Sequence, residues 1–220
     1  MTKQEWINGT FTESETDYKI AGQNILYKNE EDYLVKGVEL LCDKLNPSSV
    51  LEFGFGKGWT ATEFQRKGVT RHVILEPNKE VYQMALTWKN DYSTDIEILN
   101  VFSWDYVGGE TFDLLYDDRE PFGNYDDDNH FAHMKTLFSS TQWYGYNADI
   151  AGGETFENAI EFTLNNVNYR QGLTKGQWYA GWASPCDDEK CSDYPIYFNM
   201  NNQSYAQALK KFGEYVPCPP

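Results

Sequence analysis

The chain has 220 residues, enough for one domain with a substantial core. It carries 34 Asp and Glu against 18 Lys and Arg, a formal charge of -16. That balance argues against nucleic acid or an anionic membrane as the main partner and favours a cationic ligand, though solubility alone also explains it.

Met1-Thr2-Lys3-Gln4-Glu5 opens onto polar sequence, unlike a secretory signal, and no apolar run is long enough to span a bilayer. Cys42, Cys186, Cys191 and Cys218 lack the spacing of a zinc site, so a reduced, cytoplasmic setting without metal is expected. A Cys186–Cys191 disulfide is the alternative in an oxidising compartment.

Residues 1–28 are polar with scattered aromatics (Trp6, Phe11, Tyr18, Tyr27) and read as an N-terminal arm or flap outside the core. A helix follows. Asn29 stands at its cap, Glu30, Glu31 and Asp32 fill the first turn, and Leu34, Val38, Leu41 and Leu45 repeat at helical spacing. Asn46-Pro47-Ser48-Ser49 ends it.

Val50-Leu51-Glu52-Phe53 then reads as a buried strand running into Gly54-Phe55-Gly56-Lys57-Gly58-Trp59. Thr60 to Lys67 suits a helix, with Gly68 as its stop. Arg71 to Glu76 is a second strand ending in a carboxylate, and Pro77-Asn78 starts a helix bearing Val81, Ala85 and Trp88 on one face. Ile96 to Val101 is a third strand. Phe112 to Asp117 is a fourth, again ending in an acid. Strands alternating with helices predict an α/β fold with a mostly parallel sheet.

After residue 138 the helical periodicity is lost. Ile160 to Leu164 and Val167 to Tyr169 flank an Asn165-Asn166 turn, Gln177 to Ala183 and Tyr194 to Met200 are further strands, and Ser204 caps a short helix with Tyr205, Leu209 and Phe212. No linker separates a second domain. The expected organisation is one domain over 1–220: an arm over 1–28, a cofactor-binding core over 29–138 and a divergent, antiparallel part over 139–220.

A strand, a glycine turn and a helix N-terminus usually open a cofactor site in a doubly wound sheet. A dinucleotide fingerprint would need glycine at Trp59. Glu52 two residues before Gly54, with glycines at alternate positions, instead resembles motif I of class I S-adenosylmethionine-dependent methyltransferases. Glu76 lies 22 residues after Gly54, where a carboxylate accepts the hydroxyls of a ribose. Ser103-Trp104-Asp105 follows the third strand, where this family often holds the adenine, and an aromatic there offers a stacking face.

Over residues 16–138 the chain resembles guanidinoacetate N-methyltransferase. The resemblance rests on Ile20-Ala21-Gly22-Gln23-Asn24-Ile25-Leu26-Tyr27-Lys28-Asn29-Glu30, Leu51-Glu52-Phe53-Gly54-Phe55-Gly56, Ile74-Leu75-Glu76-Pro77-Asn78 and Phe112-Asp113-Leu114-Leu115-Tyr116-Asp117. It implies a Rossmann-like class I methyltransferase fold, S-adenosylmethionine as cofactor and a place in creatine biosynthesis. The implied cofactor contacts are Gly54, Phe55, Gly56, Gly58, Glu76, Pro77, Asn78, Ser103 and Trp104. In that family the acids matching Glu30 and Asp117 grip the substrate guanidinium, and Trp6, which resembles an aromatic of its N-terminal flap, is the third implied substrate-binding residue.

The chemistry agrees with those roles. Carboxylates bind a planar guanidinium by charge-assisted bonds. Methylation needs a nitrogen lone pair, so one acid also takes a proton, and Asp117 is the candidate base, supported by Glu30 and Asp118. His130 and His133, after Asp126-Asp127-Asp128, resemble a histidine-bearing helix of the family, beside the simpler reading of a surface helix start.

Several positions depart from the family. Lys57-Gly58-Trp59 replaces a smaller, more apolar continuation. Leu26 and Leu34 stand for methionines, and Tyr27 for an acid. After residue 138 a Lys-Pro-Gly-Gly turn and a Thr-Ser pair have no match. Methylation of another small amine or cationic acceptor, aminopropyl transfer and a non-catalytic binding module of the same fold are the competing readings.

Overall fold

The computed structural model describes residues 1–117 in full and, beyond them, the backbone of strands between residues 143 and 199. In chain order the first elements are α1 (Lys3–Asn8), β1 (Phe11–Glu13), β2 (Asp17–Ile20), β3 (Gln23–Tyr27) and α2 (Glu31–Leu45). Then come β4 (Ser49–Phe53), α3 (Trp59–Arg66), β5 (Arg71–Leu75), α4 (Lys79–Lys89), β6 (Asp95–Leu99) and β7 (Leu114–Asp117). The later strands are β8 (Trp143–Ala148), β9 (Ala159–Leu164), β10 (Val167–Lys175), β11 (Trp178–Trp182) and β12 (Pro195–Asn199).

The chain divides into two compact units. The first holds 1–106, 112–120 and 143–174. Its main sheet has the order β6-β5-β4-β7-β8-β10-β9. β4 pairs in parallel with β5 and β7, β5 with β6, and β7 with β8, while β9 and β10 pair antiparallel. The second unit holds 107–111, 121–142 and 175–220, and its described strands β11 and β12 form an antiparallel pair. The expected α/β sheet, its four parallel strands, the antiparallel pair around residues 160–169 and the two further strands are therefore present. The expected helix at Ser204 to Phe212, His130, His133, Asp118, Asp126 to Asp128, Cys186, Cys191 and Cys218 lie outside the described residues.

Hydrophobic periodicity explains the core. Val38 and Leu41, one helical turn apart on α2, pack with Phe64 of α3 against Val50, Leu114 and Tyr116 of the sheet. The Phe64 ring meets His72 and Tyr116 edge-on at 5.5 and 5.2 Å. The opposite face of the same strands is equally dry: Leu51, Phe53, Val73, Leu75 and Leu115 are all buried. This is the pattern of a parallel sheet covered on both faces.

Two local expectations are corrected. Residues 1–28 are not an arm outside the core: β1, β2 and β3 form a three-stranded antiparallel sheet, and Trp6, Tyr18 and Ile20 are buried. Ala21 and Gly22, at φ of +48° and +84°, make the two-residue turn between β2 and β3, the geometry that suits the twist of a hairpin. The helix cap is not Asn29 either. α2 begins at Glu31, with Glu30 in the cap position, and Glu30 Oε2 instead accepts the Tyr27 backbone N–H at 2.7 Å. At the other end Asn46 stops α2 in the left-handed region.

Phe64 is fully buried, whereas Val107 is 96% exposed. Phe64→Ala is expected to lower unfolding free energy by about 3–5 kcal/mol. Val107→Ser should change it by less than about 0.5 kcal/mol. Urea denaturation of both variants checks the assigned core.

Candidate functional site

Counted from β4 as the first strand, the main sheet runs 3-2-1-4-5-7-6. The chain leaves β4 toward β5 on one side and returns at β7 on the other. Ligands enter such sheets beyond the C-terminal ends of the strands, at this switch point. Gly54 to Gly58 lie directly beyond β4, and Asp117, the last residue of β7, is in register with Phe53.

The turn is built for close approach. At Gly58 a side chain is excluded twice: φ is +75°, and a Cβ would sit 2.5 Å from the Phe55 ring. At Gly56, with φ of +55°, a Cβ would meet only Leu26 at 3.6 Å, so glycine keeps the space above the turn open. Phe55 turns its ring into the protein, edge-on to Trp88 at 5.4 Å. Its contribution to the site is its backbone N–H, which donates to Glu76 Oε2 at 3.0 Å.

Glu76 receives a second N–H, from Asn78, on Oε1 at 2.8 Å. Burial pushes its carboxyl up to about 7, against the pull of the Phe55, Asn78 and Gly56 backbone amides. An ionised carboxylate has about four acceptor positions, and the backbone occupies only part of them. What remains suits a neutral donor pair such as vicinal hydroxyls.

The neighbouring loops are fastened to this acid. Asn100 Nδ2 donates to the Glu76 and Pro77 carbonyls at 2.8 and 3.0 Å, joining the end of β6 to the loop after β5. The short turn Ser103–Asp105 follows, with Ser103 buried and Trp104 stacked on Phe102 at 4.4 Å. α1 reaches both loops. Lys3 Nζ pairs with Asp105 at 2.6 Å and lies over the Phe102 and Trp104 rings, while Asn78 Nδ2 donates to the Trp6 and Gly9 carbonyls at 2.7 and 2.8 Å. Asn78 Oδ1 caps α4 by accepting the N–H groups of Glu80 and Val81. The Asn78 side chain is thus committed within the protein, and its part in the site is positional. Trp6 is buried beside it.

Glu52 also turns inward. Oε1 accepts the Thr60 hydroxyl, and Oε2 lies 2.9 Å from His72 Nε2, with both residues fully buried. Gln65 Nε2 stands 3.1 Å from His72 Nδ1, and Gln65 Oε1 accepts the Thr94 hydroxyl. The motif acid therefore clamps β4, β5 and the first turn of α3 behind the glycine turn. Motif spacing pointed to Glu52 but not to His72, because their contact exists only across neighbouring strands.

On the outer side of the turn is a cavity of about 30 Å³. Ile25 and Leu26 of β3, Leu34 of α2, and Lys57, Trp59 and Thr60 line it together with the glycine turn. Leu26 and Leu34, which stand where the resembled family has methionines, thus both face it. Glu30 lies one helical turn before Leu34, its carboxylate held by the Tyr27 N–H and, at 3.4 Å, by the Tyr33 hydroxyl. The β1–β3 sheet abuts the same turn: the Tyr18 ring meets Trp59 edge-on at 5.9 Å, and Lys57 Nζ lies over it at 5.0 Å. Sequence reading missed this sheet, although Ala21-Gly22 between two short apolar runs was a usable hairpin signal. No group of His, Cys, Asp and Glu among the described residues is arranged to hold a metal ion.

The residues fit a nucleoside cofactor: an open glycine turn, a buried carboxylate with acceptor capacity, and a half-buried aromatic, each beyond a different strand. A family model described as guanidinoacetate N-methyltransferase matches residues 2–139. No curated protein matches the chain. Among solved structures, the N-methyltransferase NodS from Bradyrhizobium japonicum WM9 is similar at 12% identity, covering 67% of this chain and 96% of that one, with a TM-score of 0.52. The same protein in complex with S-adenosyl-L-homocysteine is similar at 13% identity, covering 68% and 88%, with a TM-score of 0.51. These likenesses establish the fold.

The Glu76 shift has a testable sign. A folded value near 7, above the ordinary 4.5, means that the folded protein binds this proton more tightly than the unfolded chain. The group's contribution to stability is full below pH 4.5 and is lost as pH rises through about 7. Affinity for a hydroxyl-donating ligand runs the other way, because only the ionised acid accepts on both oxygens. S-adenosylhomocysteine affinity is expected to fall about tenfold from pH 8 to pH 6, and Glu76→Gln should abolish that slope. Calorimetric titration across the pH range checks both.

Proposed function

The chain belongs to the guanidinoacetate N-methyltransferase family, and from that membership we propose that it transfers a methyl group from S-adenosylmethionine to a guanidino nitrogen of a small molecule such as guanidinoacetate. Use of S-adenosylmethionine as methyl donor is common to the family. The acceptor follows from the acids. The observation that carries this reading is the register of Asp117 with Phe53, which sets a carboxylate beside the glycine turn at the switch point of the sheet.

When bound, S-adenosylmethionine supplies an electrophilic methyl group. Gly54 and Gly56 admit it, Glu76 takes its ribose hydroxyls, and Ser103 and Trp104 border its base. Pro77 and Asn78 hold the loop that carries Glu76 in place. Asp117 would accept N–H bonds from the acceptor guanidinium, orient one nitrogen and take its proton as the N–C bond forms and the sulfonium S–CH3 bond breaks, with S-adenosylhomocysteine as the leaving group. A guanidinium holds its proton strongly in water, so an adjoining carboxylate lowers the barrier where bulk solvent does not. Glu30 accepts from another guanidinium nitrogen and offsets its charge. The Tyr27 N–H and the Tyr33 hydroxyl support that role by fixing the Glu30 carboxylate. Holding both reactants in one geometry supplies much of the remaining acceleration. The acidic balance of the whole chain suits a cationic acceptor.

Among the described residues no helix is long and apolar enough to cross a membrane. Asp117→Asn is expected to lower turnover by at least about a hundredfold, the low end of a general base's contribution, while S-adenosylhomocysteine affinity stays within about twofold of the parent. Mass spectrometry of a panel containing guanidinoacetate, arginine and simple amines should show one added methyl on a guanidino compound. Methylation of amines alone would replace the guanidino reading. Parent-rate turnover by the Asn variant would remove Asp117 as the base.

A further inference from the structure

We infer that Lys57 is a carboxylate-recognising residue, which gives the pocket specificity for the acid end of a bound reactant. The inference rests on the methyl-transfer reading and adds to it the residue that reads an anion. Among the described residues that line the cavity, Lys57 is the only one with a charged side chain. Most cations of the surrounding elements already have acids: Lys3 has Asp105, Lys28 has Glu13, Lys67 has Asp43 and Arg71 has Glu97. Among the described residues Lys57 has no carboxylate within ion-pair distance. In a chain of net charge -16 a half-buried lysine with no such partner is a departure that calls for a cause.

Its placement supports a ligand. The ammonium lies 5.0 Å from the Tyr18 ring centroid and 5.7 Å from that of Phe11, and these two rings stack on each other at 5.8 Å. The aromatic faces hold the cation without neutralising it. Of the acids near these rings, Glu13 is taken up by Lys28 at 2.6 Å and feels Lys57 only at longer range, and Asp17 lies 3.6 Å from Lys19. Leu26, Leu34 and Trp59 line the cavity and leave it few polar groups, and an ion pair formed against such walls is stronger than one in water. The donor's amino-acid end and the acid end of a guanidino acceptor both present a carboxylate, so the shared chemistry is one carboxylate accepting N–H bonds from Lys57.

The test compares ligands with and without that group. S-adenosylhomocysteine and 5′-methylthioadenosine, which share the nucleoside thioether but differ in the amino-acid end, are titrated into the full chain and into Lys57→Met and Lys57→Arg. Guanidinoacetate and ethylguanidine are titrated into the same proteins loaded with S-adenosylhomocysteine. Lys57→Met is expected to weaken one carboxylate ligand about tenfold and leave its carboxylate-free counterpart unchanged, with Lys57→Arg restoring most of the loss. A loss confined to S-adenosylhomocysteine assigns the donor's carboxylate; a loss confined to guanidinoacetate assigns the acceptor's. Equal losses within each pair, or none, overturn the inference, because a residue that only props the aromatic sheet would not distinguish the ligands. If neither acceptor binds the unaltered protein, the donor pair alone decides. Failure of the unaltered chain to bind S-adenosylhomocysteine would overturn the methyl-transfer reading itself.

Discussion

The carboxylate of Glu76 accepts N–H bonds from Phe55, on the turn after β4, and from Asn78, at the head of α4. One buried acid thus sets the distance between two loops that belong to different strands. The backbone amides partly offset the cost of burying the charge, and the offset is incomplete, which is why the carboxyl stays near 7. An acid kept under-satisfied in this way retains acceptor capacity for a ligand. The rest of the site is registered to it: Asn100 brings the end of β6 to the same loop, and Asn78 brings α1.

Behind this outer layer a second buried polar chain does different work. Thr60, Glu52, His72, Gln65 and Thr94 link α3, β4, β5 and the approach to β6. In a dry sheet such a chain fixes register strongly, because a slipped strand would strand several polar atoms at once. Glu52 and Glu76 lie near the ends of neighbouring strands and are both buried, yet they divide the labour. Glu52 is consumed by the scaffold, and Glu76 keeps capacity for a ligand.

The N-terminal sheet makes the pocket a composite. Its aromatics meet Trp59 and Lys57, which belong to the glycine turn, so the departures from the resembled family at 57 and 59 are where the two parts touch. Substitutions there alter the fit of β1–β3 against the cofactor turn as well as the chemistry of the cavity. The walls of the cavity are therefore shared between the doubly wound sheet and the small sheet beside it.

Much of the frame was legible in the residues. The alternation of β4, α3, β5, α4, β6 and β7 follows from periodicity, from Gly68 and Asn78 as stop and start, and from strands apolar on both faces. Glycines at 54, 56 and 58 marked the turn because only they tolerate its backbone, and the acids at 76 and 117 marked strand ends. These are local properties, carried by a few neighbouring residues each. The β1–β3 sheet, the contact of Glu52 with His72, the commitment of Asn78 to Trp6 and Gly9, and the lack of an ion-pair partner for Lys57 among the described residues were decided by tertiary structure. Each depends on which distant side chain arrives alongside, and burial, dielectric and hydrogen-bond partners have no value until it does.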